Sequence, residues 1–502
     1  LTEEPGNKVR VDATFAGTPY SETYNGVMSI AGDFGSGNDT LTLYDGSALP
    51  VDVKGGSGVD TLEVGKTSGA VTGNLTSTMV TGLGDAITYS GFSKVNITLG
   101  AAADTFTIAS TASGTTTTIR TGVGNDMVTV QGTGGSTIVD TEEAGQTGGD
   151  TVTVENALDQ IQGALTLTGE RIAVLNVSNS GSSAARNGTL STTRVSGLGM
   201  AGGITFGGVK RVDQLNITLG SGGGTFGIVD TNIVTNVIGG TGKDTINLAD
   251  NHAHTTINGE GANDVINVIN NHKTTIINGG IGNDTVNLKS NSALTTINGN
   301  DGNETFNVMG TGATTTINGN NGNDVFNVRA IGSATELNGG NNNDTFNVGS
   351  KANGTLTTTG SNSGGNVNGI SAILTVNGDT SAVDRDVLNV DETGETGGSA
   401  GFLNSTMLTG LGMTGRVEYD TLELLDINLG PGSDQFTISD TYSYVTVLNA
   451  NSGLDRIAVK GVSGLTTVNA GADNDTIYVG SNAMLAATPN LDTNSEGNVN
   501  SI

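Results

Sequence analysis

The sequence predicts an all-β chain, a right-handed parallel β-solenoid (β-roll or β-helix) of about 20 residues per coil with loop insertions. Three observations predict it. Glycine supplies 80 of 502 residues, while charged residues make up 14% and aromatics 4%, a turn-rich composition unlike that of an ordinary globular enzyme. One acid recurs every 20 residues, at Asp244, Asp264, Asp284, Glu304, Asp324 and Asp344. Between the acids, polar and apolar residues alternate over short β-branched runs, the pattern of strands. A disordered polar chain would hold no such register.

Each coil reads as two strands and two turns. In one copy Thr305-Phe306-Asn307-Val308 alternates, Met309-Gly310-Thr311-Gly312 has turn composition, and Ala313 to Ile317 is a β-branched run. The stretch Asn318-Gly319-Asn320-Asn321-Gly322-Asn323 then reads as the second turn. Because the order repeats, each strand lies parallel to its own copy at ~4.8 Å, and such crossovers are right-handed. The column Ile246, Ile266, Val286, Phe306, Phe326, Phe346 is expected to stack inside the coil, beside the column running from Leu248 to Val348. The Asn column between them, from Asn247 to Asn347, is expected to face outward as a hydrogen-bonding ladder. A further apolar column runs from Val237 to Leu337, followed two residues on by Gly239, Gly259, Gly279, Gly299, Gly319 and Gly339.

Outside this region the spacing loosens. Asp39 to Asp60 spans 21 residues, Asp104 to Asp126 spans 22, Asp126 to Asp150 spans 24 and Asp455 to Asp475 spans 20, turn insertions absorbing the difference. A longer block recurs, beginning at Leu75, Leu190 and Leu403 and ending in Gly-Leu-Gly at Leu83, Leu198 and Leu411. The chain therefore divides into irregular, duplicated coils over 1–236, six regular coils over 237–350, and irregular coils over 351–502.

The chemistry lies in the turn before each acid. Gly239-Gly240-Thr241-Gly242-Lys243-Asp244, Gly279-Gly280-Ile281-Gly282-Asn283-Asp284 and Gly55-Gly56-Ser57-Gly58-Val59-Asp60, each followed by a strand-like triplet, match the nonapeptide G-G-x-G-x-D-x-U-x. On these motifs the sequence resembles the RTX, or hemolysin-type, calcium-binding repeat proteins. That resemblance implies a turn whose carbonyls and Asp carboxylate hold Ca²⁺ against the next coil, with Asp60, Asp244 and Asp284 as its clearest ligands. It is weaker at Asp324, where Asn320 replaces the second Gly, at Asp344, where Asn342 replaces the third, and at Asp264, which follows Glu260 and Ala262. Glu304, Asp39, Asp126 and Asp475 complete the candidate metal ligands. The coils also depart from the family in carrying the motif on one side only.

Two physical readings stand. Carboxylates stacked ~5 Å apart repel by about 0.8 kcal/mol per neighbour even in water, which a divalent cation on hard oxygen ligands relieves. Alternatively each acid accepts hydrogen bonds from its own turn amides. The Asn-Asp-Thr triplets at Asn38, Asn283, Asn343 and Asn474 form N-glycosylation sequons, which we attribute to the turn motif. The three imidazoles fall in two consecutive coils, with His252 and His272 in one column about 5 Å apart. They read as exposed turn residues; a transition-metal pair is the alternative.

Net charge is 20 − 49 = −29, which argues against nucleic acid as a partner. There is no Cys, hence no disulfide or thiolate site. No run approaches the ~18 apolar residues of a membrane span. The chain begins at Leu1 and reads as a processed product or a section of something longer. The expected role is non-enzymatic: an extracellular, cell-surface rod, part of a bacterial adhesin or fibre protein of the RTX type, stabilised by Ca²⁺ and self-associating head to tail or laterally, with polysaccharide or other surface components as further partners. A carbohydrate-active β-helix (lyase or epimerase) and an RTX secretion and folding module are the alternatives. Neither terminus reads as a cap: Lys8 to Phe15 is strand-like and Thr488 to Ile502 is polar and turn-rich.

Overall fold

In the regular coils the alternation of Thr, Ile or Phe, Asn and Val becomes parallel sheet. Successive strands pair with a constant shift of 20, as in Thr305↔Val325, Phe306↔Phe326, Asn307↔Asn327 and Val308↔Val328. The same register holds from Thr245↔Val265 through Val328↔Val348. The second face is built alike, from Thr255↔Thr275 to Asn318↔Asn338. The structure, a computed structural model, describes residues 2–4, 8–15, 18–45, 49–141, 149–155, 157–353, 362–379 and 384–485, with side chains from residue 22 onward. Among them the chain is almost entirely β-strand and turn, mostly parallel β-solenoid, with one 3₁₀ turn at Leu158–Gln160. The expected cap-free stretch from Thr488 to Ile502 lies outside the described residues.

The chain forms two compact units, Leu1–Gly240 and Thr241–Ile502. In the first, Thr2–Glu4, Lys8–Phe15 and Thr18–Asn25 form a three-stranded antiparallel sheet of their own, and parallel coil pairing starts with Ile30–Asp33 against Val51–Lys54. In the second, the regular coils are followed by wider ones, where Thr345–Val348 pairs with Val387–Asp391 across an insertion.

The interior is apolar and stacked. Phe306, Phe326 and Phe346 are at most 1% exposed, with ring centroids 4.8 and 4.6 Å apart and interplanar angles of 27° and 18°. The expected Asn ladder is present, although its last two members, Asn327 and Asn347, are buried: each Nδ2 donates to the Oδ1 of the coil before, from Asn267 to Asn247 at 2.7 Å through Asn347 to Asn327 at 3.0 Å. Two further ladders escaped the sequence reading. Asn278, Asn298, Asn318 and Asn338 repeat the arrangement on the second face. Buried Asn251, Asn271 and Asn291 line the inside of the other bend, where Asn291 Nδ2 reaches Thr295 Oγ1 at 3.0 Å and Thr315 Oγ1 of the next coil at 2.9 Å.

Two features differ from the composition-based reading. The strands of the second face run on through the Gly- and Asn-rich stretch, as in Thr315–Asn321, so that Asn320 still pairs with Gly340. The chain rounds the corner while remaining paired because alternate residues take left-handed φ: 76° at both Glu260 and Ala262, 113° at Gly280 and 136° at Gly282, 102° at Gly340 and 80° at Asn342. The duplicated blocks, in turn, are β-hairpins inserted into the coil. Leu75 pairs antiparallel with Val80, Leu190 with Val195 and Leu403 with Leu408, and each second strand pairs antiparallel with the coil strand that follows. In the first and third blocks a tyrosine secures the hairpin, Tyr89 donating to Thr76 O at 2.7 Å and Tyr419 to Asn404 O at 2.6 Å.

Candidate metal centre

The periodic acids sit at the start of the first-face strands, immediately after the left-handed bend, and the bend turns them inward. Asp60, Asp244, Asp264, Asp284, Glu304, Asp324 and Asp344 are at most 1% exposed. Asp126 is equally buried, whereas Asp39 and Asp475 are half-buried. The acids are therefore not the water-facing column that the repulsion of ~0.8 kcal/mol assumed; burial makes their mutual charge far more costly.

In every acid of the regular row but Asp244 and Glu304, one carboxylate oxygen is committed between coils. The backbone N–H of Asp244 donates to Asp264 Oδ1 and that of Asp264 to Asp284 Oδ1, both at 2.7 Å. Glu304 N–H donates to Asp324 Oδ1 at 2.6 Å and Asp324 N–H to Asp344 Oδ1 at 2.8 Å. The same link joins Asp39 to Asp60, Asp104 to Asp126, Asp126 to Asp150 and Asp455 to Asp475. Own-turn bonding accounts for little of this: most acids serve the preceding coil. The Asn column just before the acids runs the other way, Asn303 N–H donating to Asn283 Oδ1 at 3.0 Å and Arg385 N–H to Asn343 Oδ1 at 2.6 Å. Two sequon asparagines thus hold structural positions in the bend.

The other oxygen is left over. Oδ2 of Asp60, Asp264, Asp284, Asp324 and Asp344 is buried without a hydrogen-bond donor, as are both carboxylate oxygens of Asp244 and Glu304. Such orphans are rare in native structures and call for an explanation, an unseen ion among them. Their surroundings supply more oxygen. A Cβ built on Gly319 would lie 2.1 Å from Asp324 Oδ2 and 2.3 Å from Gly339 O; at Gly259 it would lie 2.5 Å from Asp264 Oδ2 and 2.2 Å from Gly279 O. Glycine is required in this column because carboxylate and carbonyl converge on the space where a side chain would begin.

Desolvation dominates the electrostatics. Burial pushes Asp244, Asp284 and Asp324 up to about 6 and Asp264 to about 7. Glu304 rises to about 9, through burial first and then the adjacent Asp324, and Asp344 also reaches about 9. A cation that replaces these protons fits the donor set: all oxygen, hard and partly anionic.

Sequence reasoning missed two members of the row. Asp344 N–H donates to Asp386 Oδ1 at 2.8 Å and Asp386 N–H to Glu423 Oε2 at 2.7 Å. The insertion breaks the period of 20, but Asp386-Val387-Leu388-Asn389-Val390 preserves the pattern of Asp264-Val265-Ile266-Asn267-Val268 and would have revealed the first. On the opposite bend the rings of His252 and His272 stack at 5.0 Å, and Asp250 joins them. No family model matches the chain, and no curated protein matches it.

Proposed function

We propose that this chain is a non-catalytic, calcium-stabilised structural solenoid, an extracellular segment of a bacterial surface adhesin or fibre protein resembling the RTX-type repeats. The observation that carries the reading is the row of buried, donorless carboxylate oxygens, which at Asp264, Asp284, Glu304 and Asp324 converge with the carbonyls of Gly279, Gly299, Gly319 and Gly339 of the neighbouring coil. Asp244, Asp264, Asp284, Glu304, Asp324 and Asp344 would hold Ca²⁺ with the carbonyls of Gly279, Gly299, Gly319 and Gly339, and Asp60 would do so in its own G-G-x-G-x-D turn. Asp39, Asp126 and Asp475 extend the same chemistry to irregular coils. When bound, calcium supplies the positive charge that the buried carboxylates otherwise obtain from protons. The protein's own contribution is positional: the inter-coil N–H bond fixes one oxygen, and the glycine leaves room for the other to face the carbonyl.

An extracellular setting suits such sites because calcium is plentiful there and weak sites then fill. Self-association belongs to the same reading: a net charge of −29 holds copies apart until cations bridge them. Calorimetric titration of the metal-free protein with Ca²⁺ tests the reading. Binding with proton release is expected, weakened by Asp284→Asn and Asp324→Asn. Absence of binding at millimolar calcium contradicts it, and cleavage of an acidic polysaccharide by the purified chain would replace it with the enzyme reading.

A further inference from the structure

We infer that Asp250, His252 and His272 form a second and chemically different site, one that binds a transition-metal dication of the zinc class at the surface of two successive coils. The residues lie on the bend opposite the acid row. One ligand atom from each, two imidazole nitrogens and a carboxylate oxygen, lie within 4.8 Å of one another. The imidazole planes are within 9° of parallel, so both rings can present nitrogen to the same side. Asp250 Oδ1 is 2.7 Å from His272 Nδ1. This nitrogen and this oxygen already converge on one point, and once the proton between them is released a dication can take both as ligands.

The frame beneath the side chains is rigid. Buried Asn251 accepts from the backbone N–H of His272 at 3.1 Å and of Lys273 at 3.3 Å, while its Nδ2 holds Ala253 O and Thr255 Oγ1 at 2.9 and 3.0 Å. His272 N–H also bonds Asn251 O at 3.1 Å. The backbone of the coil that carries His252 is thereby tied to that of the coil that carries His272. Contraction from 4.8 Å to the ~3.3–3.5 Å between ligand atoms of a tetrahedral zinc site then needs only side-chain rotation. The solenoid does not force this composition: the His column continues as Ser292 and Gly312, and the Asp250 column as Asn270 and Ser290. Imidazole selects zinc-class ions, whereas the all-oxygen acid row suits calcium, so the two sites differ in the metal they take. The net charge of −29 further concentrates cations at the surface.

The test is titration of the intact chain with Zn²⁺ in buffer holding saturating Ca²⁺, followed by calorimetry and, with Co²⁺ as probe, by visible absorption. One equivalent is expected to bind, with His252→Ala and His272→Ala each weakening affinity at least tenfold, Asp250→Asn weakening it about tenfold, and His254→Ala leaving it unchanged. The imidazoles of His252 and His272 are solvent-exposed, so the variants should melt like the parent when zinc is absent. No saturable binding below millimolar Zn²⁺ overturns the inference, and so does binding that survives the His252→Ala/His272→Ala double variant. Either result leaves the calcium reading untouched, because that reading is measured without zinc.

Discussion

Gly319 shows how tightly single residues are specified. Its missing side chain makes room for Asp324 Oδ2 and Gly339 O, so Gly319→Ala should cost about 1–3 kcal/mol through forced displacement and should also weaken calcium binding. Gly310→Ala is the control. The nearest atom to its Cβ would be Lys289 O at 3.5 Å, and its melting temperature should stay within experimental error of the parent. Phe326 lies between two rings at 4.8 and 4.6 Å. Phe326→Ala should lower unfolding free energy by about 3–5 kcal/mol, because neighbouring coils cannot close the gap without losing register. A cost near zero would place the ring outside the core. At this scale the sequence disclosed which acids recur in register, since the period of 20 isolates them, but not that they are buried. Inward rotation depends on left-handed φ at residues such as Glu260 and Ala262, side chains that seldom adopt it. Asp250 was hidden for a different reason: its column continues as Asn270 and Ser290, so no repetition marked it.

Within a coil, the three Asn ladders divide the work by depth. Asn287 stands on the outer face and takes part in two ladder bonds, at 2.8 Å each. Asn291 is 1% exposed and joins Thr295, Thr315 and the Gly312 N–H inside the bend. Asn287→Ala should therefore cost about 1 kcal/mol and Asn291→Ala about 2–3, since only the second strands buried partners. Denaturant unfolding that ranks them in reverse would mean the inner ladder is not the stronger tie. Strand order and register were legible because a parallel coil repeats its hydrophobic columns without drift. The hairpins were seen as duplications but not as antiparallel excursions. Their segments, such as Leu190 to Val195, have the same β-branched, turn-flanked composition as coil strands, and alternation is blind to strand direction.

For the molecule as a whole, the charge of −29 opposes contact between copies unless cations neutralise it. Sedimentation should accordingly show larger species in millimolar calcium than in chelator, whereas an unchanged monomer in both would remove self-association from the account. The most direct measurement of the central claim is thermal unfolding from pH 4 to pH 9 with and without calcium. Folding raises the acids of the row from 3.8 (4.5 for Glu304) to between about 6 and about 9, so the native state binds protons more tightly than the unfolded chain does. Without metal, that stabilisation is complete below about pH 4 and is lost as pH rises through 6 to 9. With calcium, the same carboxylates are ionised and ligated, and binding strengthens as protons leave. The account predicts melting temperatures that fall with pH in chelator and hold level or rise in calcium, the gap between the curves widening above pH 6. Two curves that coincide across the range would contradict it.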